Sequence, residues 1–210
     1  GTYAESVDFA SVSGETDLTL TSTGAASETV IVGQGSVPTF NVNADSTTID
    51  GFTITGSGPG LLVNTFDTTQ HTVRNNIVQA SGEQVGVNIG ETVSVTDNEI
   101  TSSSLEATGI KLYDGGASGT TITGNEVTGF GNATTAINVS DLTIERNRFA
   151  NNGDESGEGA INVDVGSGVT IDASTITVAR NNVVDNNFGL SVESAGSFTG
   201  EIDAELNWWC

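Results

Sequence analysis

The chain has 210 residues, and its 27 acidic side chains outnumber its 5 basic ones, which gives a formal net charge of −22. Nucleic acid and anionic membrane surfaces would repel such a protein, so we expect neither as a partner. No apolar run approaches the roughly 18–20 residues that a membrane-spanning helix needs, so we expect no membrane insertion.

The remaining composition predicts a folded protein. Hydrophobic residues make up 35% of the chain and 27 glycines add to them, which together reach the range of ordinary globular domains, about 45–50%. An acidic, lysine-poor surface on an ordinary core is similar to that of proteins from salt-loving microbes, particularly haloarchaea. An ordinary acidic secreted protein is the alternative, and unfolding at low salt would favour the halophile.

Residues 1–42 contain short β-type stretches, such as 18–20 and 29–32, that are separated by glycines. The chain begins at Gly1 without a start methionine. We therefore interpret it as a mature or trimmed product, in which the absence of a targeting segment carries no information about location.

From residue 43 onward a pattern recurs: an apolar residue, an asparagine three positions later, and a second apolar residue two positions after that. Residues 121–127 show it most clearly, in the order Thr-Ile-Thr-Gly-Asn-Glu-Val. An early copy carries Phe52 where the others carry asparagine. The asparagines lie 22 to 34 residues apart, at Asn76, Asn98, Asn125, Asn147, Asn181 and, in an altered last copy, Asn207. Such a period indicates a repeat protein.

A second pattern alternates with the first: glycine or alanine, apolar, any residue, apolar. It occupies 60–63, 86–89, 109–112, 136–139, 160–163 and 189–192. Both patterns have the period of two that is typical of strands, and the segments between them are rich in turn-forming residues. We therefore expect at least two short strands in each repeat and almost no helix.

These repeats predict a right-handed parallel β-helix of roughly eight coils, each stacked on the previous one at about 4.8 Å. We interpret 1–210 as a single domain, with opening coils at 1–42, regular coils at 43–200 and a closing coil at 201–210. Leucine-rich repeats share the period, but their leucine pattern is absent, and an antiparallel sandwich would not space asparagines so regularly. We expect the asparagines to point inward at a bend and to form an internal ladder, because a buried amide must be hydrogen-bonded.

Residues 45–209 resemble the parallel β-helix repeats of the pectin-lyase-like superfamily, in its NosD-like branch. Residues 49–54, Ile-Asp-Gly-Phe-Thr-Ile, and the closing Asn207-Trp208-Trp209 carry the resemblance. The branch usually continues this closing motif with glycine, where the chain has Cys210. The resemblance implies the fold and leaves the function open, since the superfamily includes lyases, hydrolases, epimerases, adhesins and structural rods.

The sequence offers few groups for catalysis. The resemblance implies that lyases on this fold use acidic residues for calcium and a basic residue as proton acceptor, and that hydrolases use clustered aspartates. No carboxylate pair stands at matching repeat positions. We expect Arg148 to pair with Glu126 on the neighbouring coil, an exposed ion pair worth about 0–1 kcal/mol, and His71 to be a turn residue. The other basic residues are Arg74, Lys111, Arg146 and Arg180.

Two kinds of binding or modification site are candidates. The densest acidic stretch could hold calcium through Asp154, Glu155 and Glu158, although a solvated loop is the simpler interpretation, and no other cofactor is indicated. Glycosylation sequons begin at Asn132 and Asn138, and we expect Asn138 to point outward from its strand.

Aromatic residues offer further contacts. Tyr113 and Phe130 fall in turn regions, where they could stack on sugars or, as we favour, pack over strand ends. Trp208, Trp209 and Cys210 close the chain. Trp209 takes an inward repeat position, so we expect it to cover the last coil, whose end could pair with another molecule. Cys210, the single cysteine, has no internal disulfide partner.

Our first hypothesis is a non-catalytic, extracellular or cell-surface β-helix protein. Its role would be structural or adhesive, through contact with carbohydrate or end-to-end self-association. A polysaccharide lyase or glycoside hydrolase is the alternative. A NosD-like accessory protein handling a metal or cofactor is a second alternative, which the absence of methionine and the single histidine and cysteine disfavour.

Overall fold

Parallel strands dominate the computed structural model, which describes residues 1–9, 17–42, 44, 46–56, 61–65, 70–113, 115–153 and 158–210. Three long sheets contain most of the strands in these ranges. Sheet 1 consists of Thr2–Tyr3, Val30–Gly33, Thr53–Gly56, Ile77–Ala80, Glu99–Ser102, Glu126–Thr128, Arg148–Ala150, Asn182–Val184 and Trp208–Trp209. Sheet 2 consists of Val7–Phe9, Phe40–Val42, Leu61–Thr65, Val85–Ile89, Thr108–Tyr113, Asn132–Ile137, Ile161–Val165 and Leu190–Ser194. Sheet 3 consists of Thr19–Thr21, Thr48–Asp50, His71–Arg74, Val93–Thr96, Thr121–Thr123, Leu142–Glu145 and Ile176–Ala179.

Up to the last coil, the chain visits the three sheets in a fixed order, 1 to 2 to 3, and then returns to sheet 1. Thus Ile77–Ala80, Val85–Ile89 and Val93–Thr96 make one coil, and Glu99–Ser102 begins the next. Neighbouring strands in each sheet come from consecutive coils and pair in parallel. The prediction of a parallel β-helix of roughly eight coils is confirmed.

The remaining elements in the described ranges are short. Thr170–Asp172 and Ser197–Thr199 form a small fourth sheet, and helix is limited to the 3-10 segments Ala26–Glu28, Gly115–Ala117 and Ala173–Thr175. Asp172 caps the last segment, because its carboxylate accepts hydrogen bonds from the Ser174 hydroxyl at 2.6 Å and the Ser174 N–H at 3.0 Å. These two bonds lower the pKa of Asp172. The prediction of almost no helix is confirmed.

Among the side chains that the structure describes, alternate ones along the strands point into the solenoid and form apolar rows along its axis. One row of sheet 1 contains Ile54, Val78, Ile100, Val127 and Phe149, all fully buried and in register on successive strands. A slip of one residue would move a whole strand's apolar set to the outside, so these rows fix the register of each coil. The opposite faces of the strands are left for polar side chains.

The bend from sheet 3 to sheet 1 contains the predicted asparagine ladder. Asn125 Oδ1 accepts hydrogen bonds from the backbone N–H and the Nδ2 of Asn98, at 3.0 and 2.9 Å, and its own Nδ2 donates to the Val95 carbonyl at 2.8 Å. The same contacts recur from coil to coil through Asn76, Asn98, Asn125, Asn147, Asn181 and Asn207. Phe52 stands at the start, where its N–H donates to Asn76. The predicted ladder is confirmed, and it satisfies the amides that it buries.

A second and shorter ladder lies at the bend from sheet 1 to sheet 2. Asn152 Oδ1 accepts from the Phe130 N–H at 3.0 Å, and Asn186 Oδ1 accepts from the N–H and Nδ2 of Asn152 at 3.0 and 2.7 Å. Each member lies five residues after a member of the first ladder, a spacing that the sequence analysis did not use. Phe130 is fully buried at the start of this ladder, so its interpretation as a packing residue is confirmed.

Candidate functional site

The outer face of sheet 2 carries a continuous row of polar side chains, one from each coil. The residues are in register on adjacent strands, about 4.8 Å apart, on the side opposite the core. We call this the sheet 2 polar row; it contains Asp8, Asn41, Asn64, Asn88, Lys111, Thr135, Asn162 and Ser191.

The first half of the sheet 2 polar row is a directional chain of hydrogen bonds. Asn41 Nδ2 donates to Asp8 Oδ1 at 3.0 Å, Asn64 Nδ2 donates to Asn41 Oδ1 at 2.9 Å, and Asn88 Nδ2 donates to Asn64 Oδ1 at 2.8 Å. Each bond polarises the next one, which strengthens the last acceptor. That acceptor is Asn88 Oδ1.

Asn88 is only 3% exposed, and its Oδ1 is buried without a hydrogen-bond donor in the described part of the chain. A buried polar atom without a partner costs about 1–3 kcal/mol. Asn162, which lies three coils further along the sheet 2 polar row, also has a buried Oδ1 that receives no hydrogen bond from a described residue. The row therefore contains two acceptors with unused hydrogen-bonding capacity, and a donor from outside the chain reaches them only when the side chains that cover them move aside.

Between these two acceptors lies a cationic and aromatic pair. Lys111 follows Asn88 in the sheet 2 polar row, and its Nζ lies 4.8 Å from the centroid of the Tyr113 ring. This distance is within the range of a cation–π interaction. Lys111 and Tyr113 are both half-buried, so each keeps part of its surface available for contact. The site combines hydrogen-bond acceptors, a donor and an aromatic ring.

The four arginines lie away from the sheet 2 polar row. They form ion pairs on sheets 1 and 3 and at the bend between them: Arg74–Asp50, Arg146–Glu145, Arg148–Glu126 and Arg180–Glu145. The Arg148–Glu126 pair is the one expected from the sequence. Because the arginines are well exposed, such pairs contribute about 0–1 kcal/mol each. Of the five basic residues, Lys111 alone belongs to the outer face of sheet 2.

Two copies of the second sequence pattern are out of register with the structure. The pattern aligns 60–63 with 86–89, but the strands pair Val63 with Val87. It aligns 136–139 with 109–112, but the strands pair Thr134 with Ile110. Thr134 is fully buried at a position where the pattern requires an apolar residue, which is why the correct alignment was missed.

This shift changes the position of one sequon. Asn138 was expected to point outward from a strand; that expectation is wrong, since it follows the strand Asn132–Ile137 in a left-handed turn, with φ at 57°. Its Oδ1 accepts a hydrogen bond from the Gly166 N–H at 2.8 Å. Asn132 begins the strand and is half-buried. Glycosylation at either asparagine stays a prediction.

His71 is not the turn residue that the sequence suggested. It begins the strand His71–Arg74, is 2% exposed, and accepts a hydrogen bond from the Thr47 N–H through Nδ1 at 3.4 Å. The chain reverses one residue earlier, at Gln70, whose φ is 63°. The turn therefore ends before the imidazole, which packs inside the coil.

The candidate calcium residues are only partly described. Asp154 and Glu155 lie outside the described residues, and Glu158 is half-buried. Within the described ranges, no three His, Cys, Asp or Glu side chains are grouped closely enough to hold a metal ion. Calcium binding stays a prediction.

Trp208, Trp209 and Cys210 form the last strand edge of sheet 1 in this structure. Trp209 is in register with Val183, and its indole packs over Gly189, where a Cβ would come within 2.6 Å of the ring. Both indoles remain substantially exposed, as does the free thiol of Cys210. A contact role for these residues stays a prediction.

Sequence reasoning missed the sheet 2 polar row, although a signal for it was present. The third position of the second pattern is polar in five of its six copies, and four of these residues, Asn88, Lys111, Asn162 and Ser191, lie in the row. The two misaligned copies concealed Asn64 and Thr135 and so interrupted the row.

Parallel coils, an inward amide ladder and a polar outer row define a β-solenoid. A family model described as the right handed beta helix region matches residues 39–207, and the chain belongs to this family. Searches of curated proteins and of solved structures returned no significant match. None of the helices in the described ranges has the length and apolar character needed to span a bilayer. Membership of the family establishes the fold, and function must be argued from the site.

Proposed function

We propose that this chain is a non-catalytic β-helix rod, secreted or held at the cell surface, that contacts a carbohydrate chain along the sheet 2 polar row. Asn88 Oδ1 carries the proposal, because it is a buried acceptor that receives no hydrogen bond from the described residues. Once the side chains that cover this oxygen move aside, a sugar hydroxyl supplies the donor that it requires, and the hydroxyl can accept a hydrogen bond from Lys111 at the same time.

The repeat of the sheet 2 polar row supports an extended ligand. Its members recur at about 4.8 Å, a distance comparable with the length of one sugar residue. Asn88 and Asn162 are three coils apart, or about 14 Å at that spacing. One oligosaccharide lying along the axis could satisfy both acceptors, whereas a small ligand would satisfy only one.

Tyr113 supports a sugar in particular. An aromatic ring offers an apolar surface against which the C–H face of a sugar packs, while the surrounding amides and hydroxyls bind its polar edge. The Lys111 ammonium beside the ring adds a donor that can turn toward ligand oxygens.

The charge of the protein supports a neutral ligand. With a net charge of −22, the surface repels uronic acid and sulfated polymers at low ionic strength. Salt reduces this repulsion, so discrimination against anionic polysaccharides should weaken as salt rises.

The positions of the basic groups support binding more than cleavage. All four arginines form ion pairs on other faces. Proton abstraction from a sugar on the sheet 2 polar row would therefore depend on Lys111 alone among the arginines and lysines.

Binding is tested with immobilised neutral and uronate polysaccharides at high salt, using the wild type and Asn88→Ala. Removal of one hydrogen bond from a buried site is worth about 1–3 kcal/mol, so affinity should fall about 5- to 150-fold. Asn182→Ala is the matched control, because Asn182 is an exposed asparagine on the outer face of sheet 1. Circular dichroism checks that both variants fold.

Equal binding by the Asn88 and Asn182 variants would overturn the proposal. Release of unsaturated sugar products by the wild type, lost in Lys111→Met, would replace the binding role with that of a lyase.

A further inference from the structure

A second outward row runs beside the sheet 2 polar row, two positions further along each strand. Tyr113, Ile137, Asp164 and Glu193 occupy it in register on four successive coils. The first three are half-buried and alternate with buried inward residues, as expected for side chains on the outer face. The second row is therefore apolar over two coils and acidic over the next two.

The apolar part of the second row lies next to polar groups. Two positions before Tyr113 on the same strand lies Lys111, whose Nζ is 4.8 Å from the ring centroid. Two positions before Ile137 lies Thr135, and Asn162 is in register with Thr135 on the next coil. Residues on one face of a strand are about 6.4–6.8 Å apart, and neighbouring strands are about 4.8 Å apart. These five side chains therefore bound a patch of about the size of one sugar residue with its substituents.

Asn162 gives this patch an unused acceptor. Its Oδ1 is buried and receives no hydrogen bond from a described residue, although the side chain belongs to a residue that is only half-buried. A ligand N–H or O–H reaches this oxygen when the side chains that cover it move aside. Lys111 provides a donor, because an ammonium group donates up to three hydrogen bonds and accepts none. The patch thus offers a donor and an acceptor on the two sides of Thr135.

An acetamido group has three features that this patch complements. Its N–H donates, its carbonyl oxygen accepts, and its methyl group is apolar. Asn162 Oδ1 can accept from the N–H, the Lys111 ammonium can donate to the carbonyl oxygen, and Ile137 can pack against the methyl group. A hydroxyl substituent would supply a donor for Asn162 but no apolar surface for Ile137.

The neighbouring charges favour this neutral group over an acidic one. Asp164 follows Ile137 in the second row, and Glu193 follows Asp164. A carboxylate or sulfate on the ligand would meet these acidic side chains, in a protein whose net charge is −22. An acetamido group carries no net charge, so these side chains do not repel it.

We infer that the patch bounded by Lys111, Ile137 and Asn162 binds the acetamido group of an N-acetylhexosamine within the carbohydrate chain, an inference that rests on the proposed function. The Tyr113 ring packs against the sugar that carries this group. Ile137 is the specificity-determining residue, because its contact with the methyl group distinguishes the acetylated sugar from a hexose with a hydroxyl at the same carbon. The ligand class narrows from neutral polysaccharides to those that contain N-acetylated amino sugars.

Isothermal titration calorimetry with chitohexaose and cellohexaose at high salt tests the inference. These two neutral hexamers differ only in carrying an acetamido or a hydroxyl group at the second carbon of each sugar. The wild type should bind chitohexaose about tenfold or more tightly than cellohexaose, because one methyl group is covered and one hydrogen bond is added. Ile137→Ser should lower the affinity for chitohexaose about fourfold and leave that for cellohexaose unchanged, which also shows that the variant folds.

Ile77→Ser is the matched control, since Ile77 is an outward, half-buried isoleucine on sheet 1. It should keep the wild-type preference. Equal affinity of the wild type for the two hexamers, or a preference that Ile137→Ser leaves unchanged, would overturn the inference and leave the proposed carbohydrate contact standing. Failure to bind either hexamer, with another neutral polysaccharide still bound, would also overturn the inference alone. Absence of all carbohydrate binding would overturn the proposed function as well.

Discussion

Asn125 lies at the centre of the amide ladder, so Asn125→Ala gives the sharpest test of what the ladder contributes. The substitution removes five hydrogen bonds: two from Asn98, and those donated to Val95, Thr123 and Asn147. The Asn98 backbone N–H donates to the side chain that is removed. Because this N–H is buried, water cannot replace the lost acceptor.

The magnitude follows from these contacts. One orphaned buried donor costs about 1–3 kcal/mol, and the remaining bonds are worth about 1 kcal/mol or less each. We expect a loss of about 3–6 kcal/mol, a large part of the roughly 5–15 kcal/mol that stabilises a typical domain. Asn207→Ala should cost only about 1 kcal/mol, because this last member is half-buried and water can replace its partner.

Urea unfolding at high salt measures the loss, with the exposed Asn182→Ala as a control expected to stay within about 0.5 kcal/mol of the wild type. Hydrogen exchange gives a local measurement, in which the Asn98 amide should lose its protection in Asn125→Ala. A loss below about 1 kcal/mol, or unchanged protection of Asn98, would refute the reasoning.

Gly109 has no room for a side chain, because a Cβ would lie 2.5 Å from a backbone oxygen. Gly109→Ala should therefore lower the free energy of unfolding in urea by about 1–3 kcal/mol. Gly166→Ala is the control and should be nearly neutral, since a Cβ there would lie 3.4 Å from its nearest contact. Glu99 faces Glu126 in register on the exposed side of sheet 1, so Glu99→Gln should raise the unfolding midpoint at low salt; an equal rise at high salt would contradict an electrostatic cause. The pKa of Asp172 lies below its ordinary value of 3.8 in the folded state, so its carboxylate stabilises the fold above about pH 4 and this stabilisation is lost as pH falls through the folded pKa. The difference in melting temperature between the wild type and Asp172→Ala should therefore shrink below about pH 4; a difference that does not change with pH would rule this cap out as the cause.

The fold could be predicted because one residue type is required at one position of each coil. An inward amide can satisfy itself only by bonding an identical amide above and below, so the sequence must repeat it. The steps between Asn76 and Asn207 vary because the turns vary, while the ladder contacts do not. The repeated pattern seen around Asn125 was therefore sufficient to predict the parallel β-helix.

The candidate site was less visible because outward positions tolerate many polar residues. The sheet 2 polar row mixes asparagine, lysine, threonine and serine, so no single residue type identifies it in the sequence. The buried Thr134 occupies a core position where the pattern requires an apolar residue, so the correct alignment was missed. The chain turns at Gln70, and His71 therefore points inward although its neighbours in the sequence are polar. Such outcomes depend on tertiary packing, which a local pattern does not contain.

The small pitch of the coil restricts the purposes for which this architecture is suited. Successive ladder asparagines are 22 to 34 residues apart in the chain, yet each coil advances the axis by about 4.8 Å. An α-helix of 25 residues would extend about 37 Å. The β-helix therefore spans far less distance per residue than an α-helix does, and it is an inefficient spacer. The architecture instead provides a broad face, on which every coil repeats the same outward position at a constant interval of about 4.8 Å. Insertion or deletion of whole coils would change the number of these outward positions and leave the distance between them unchanged.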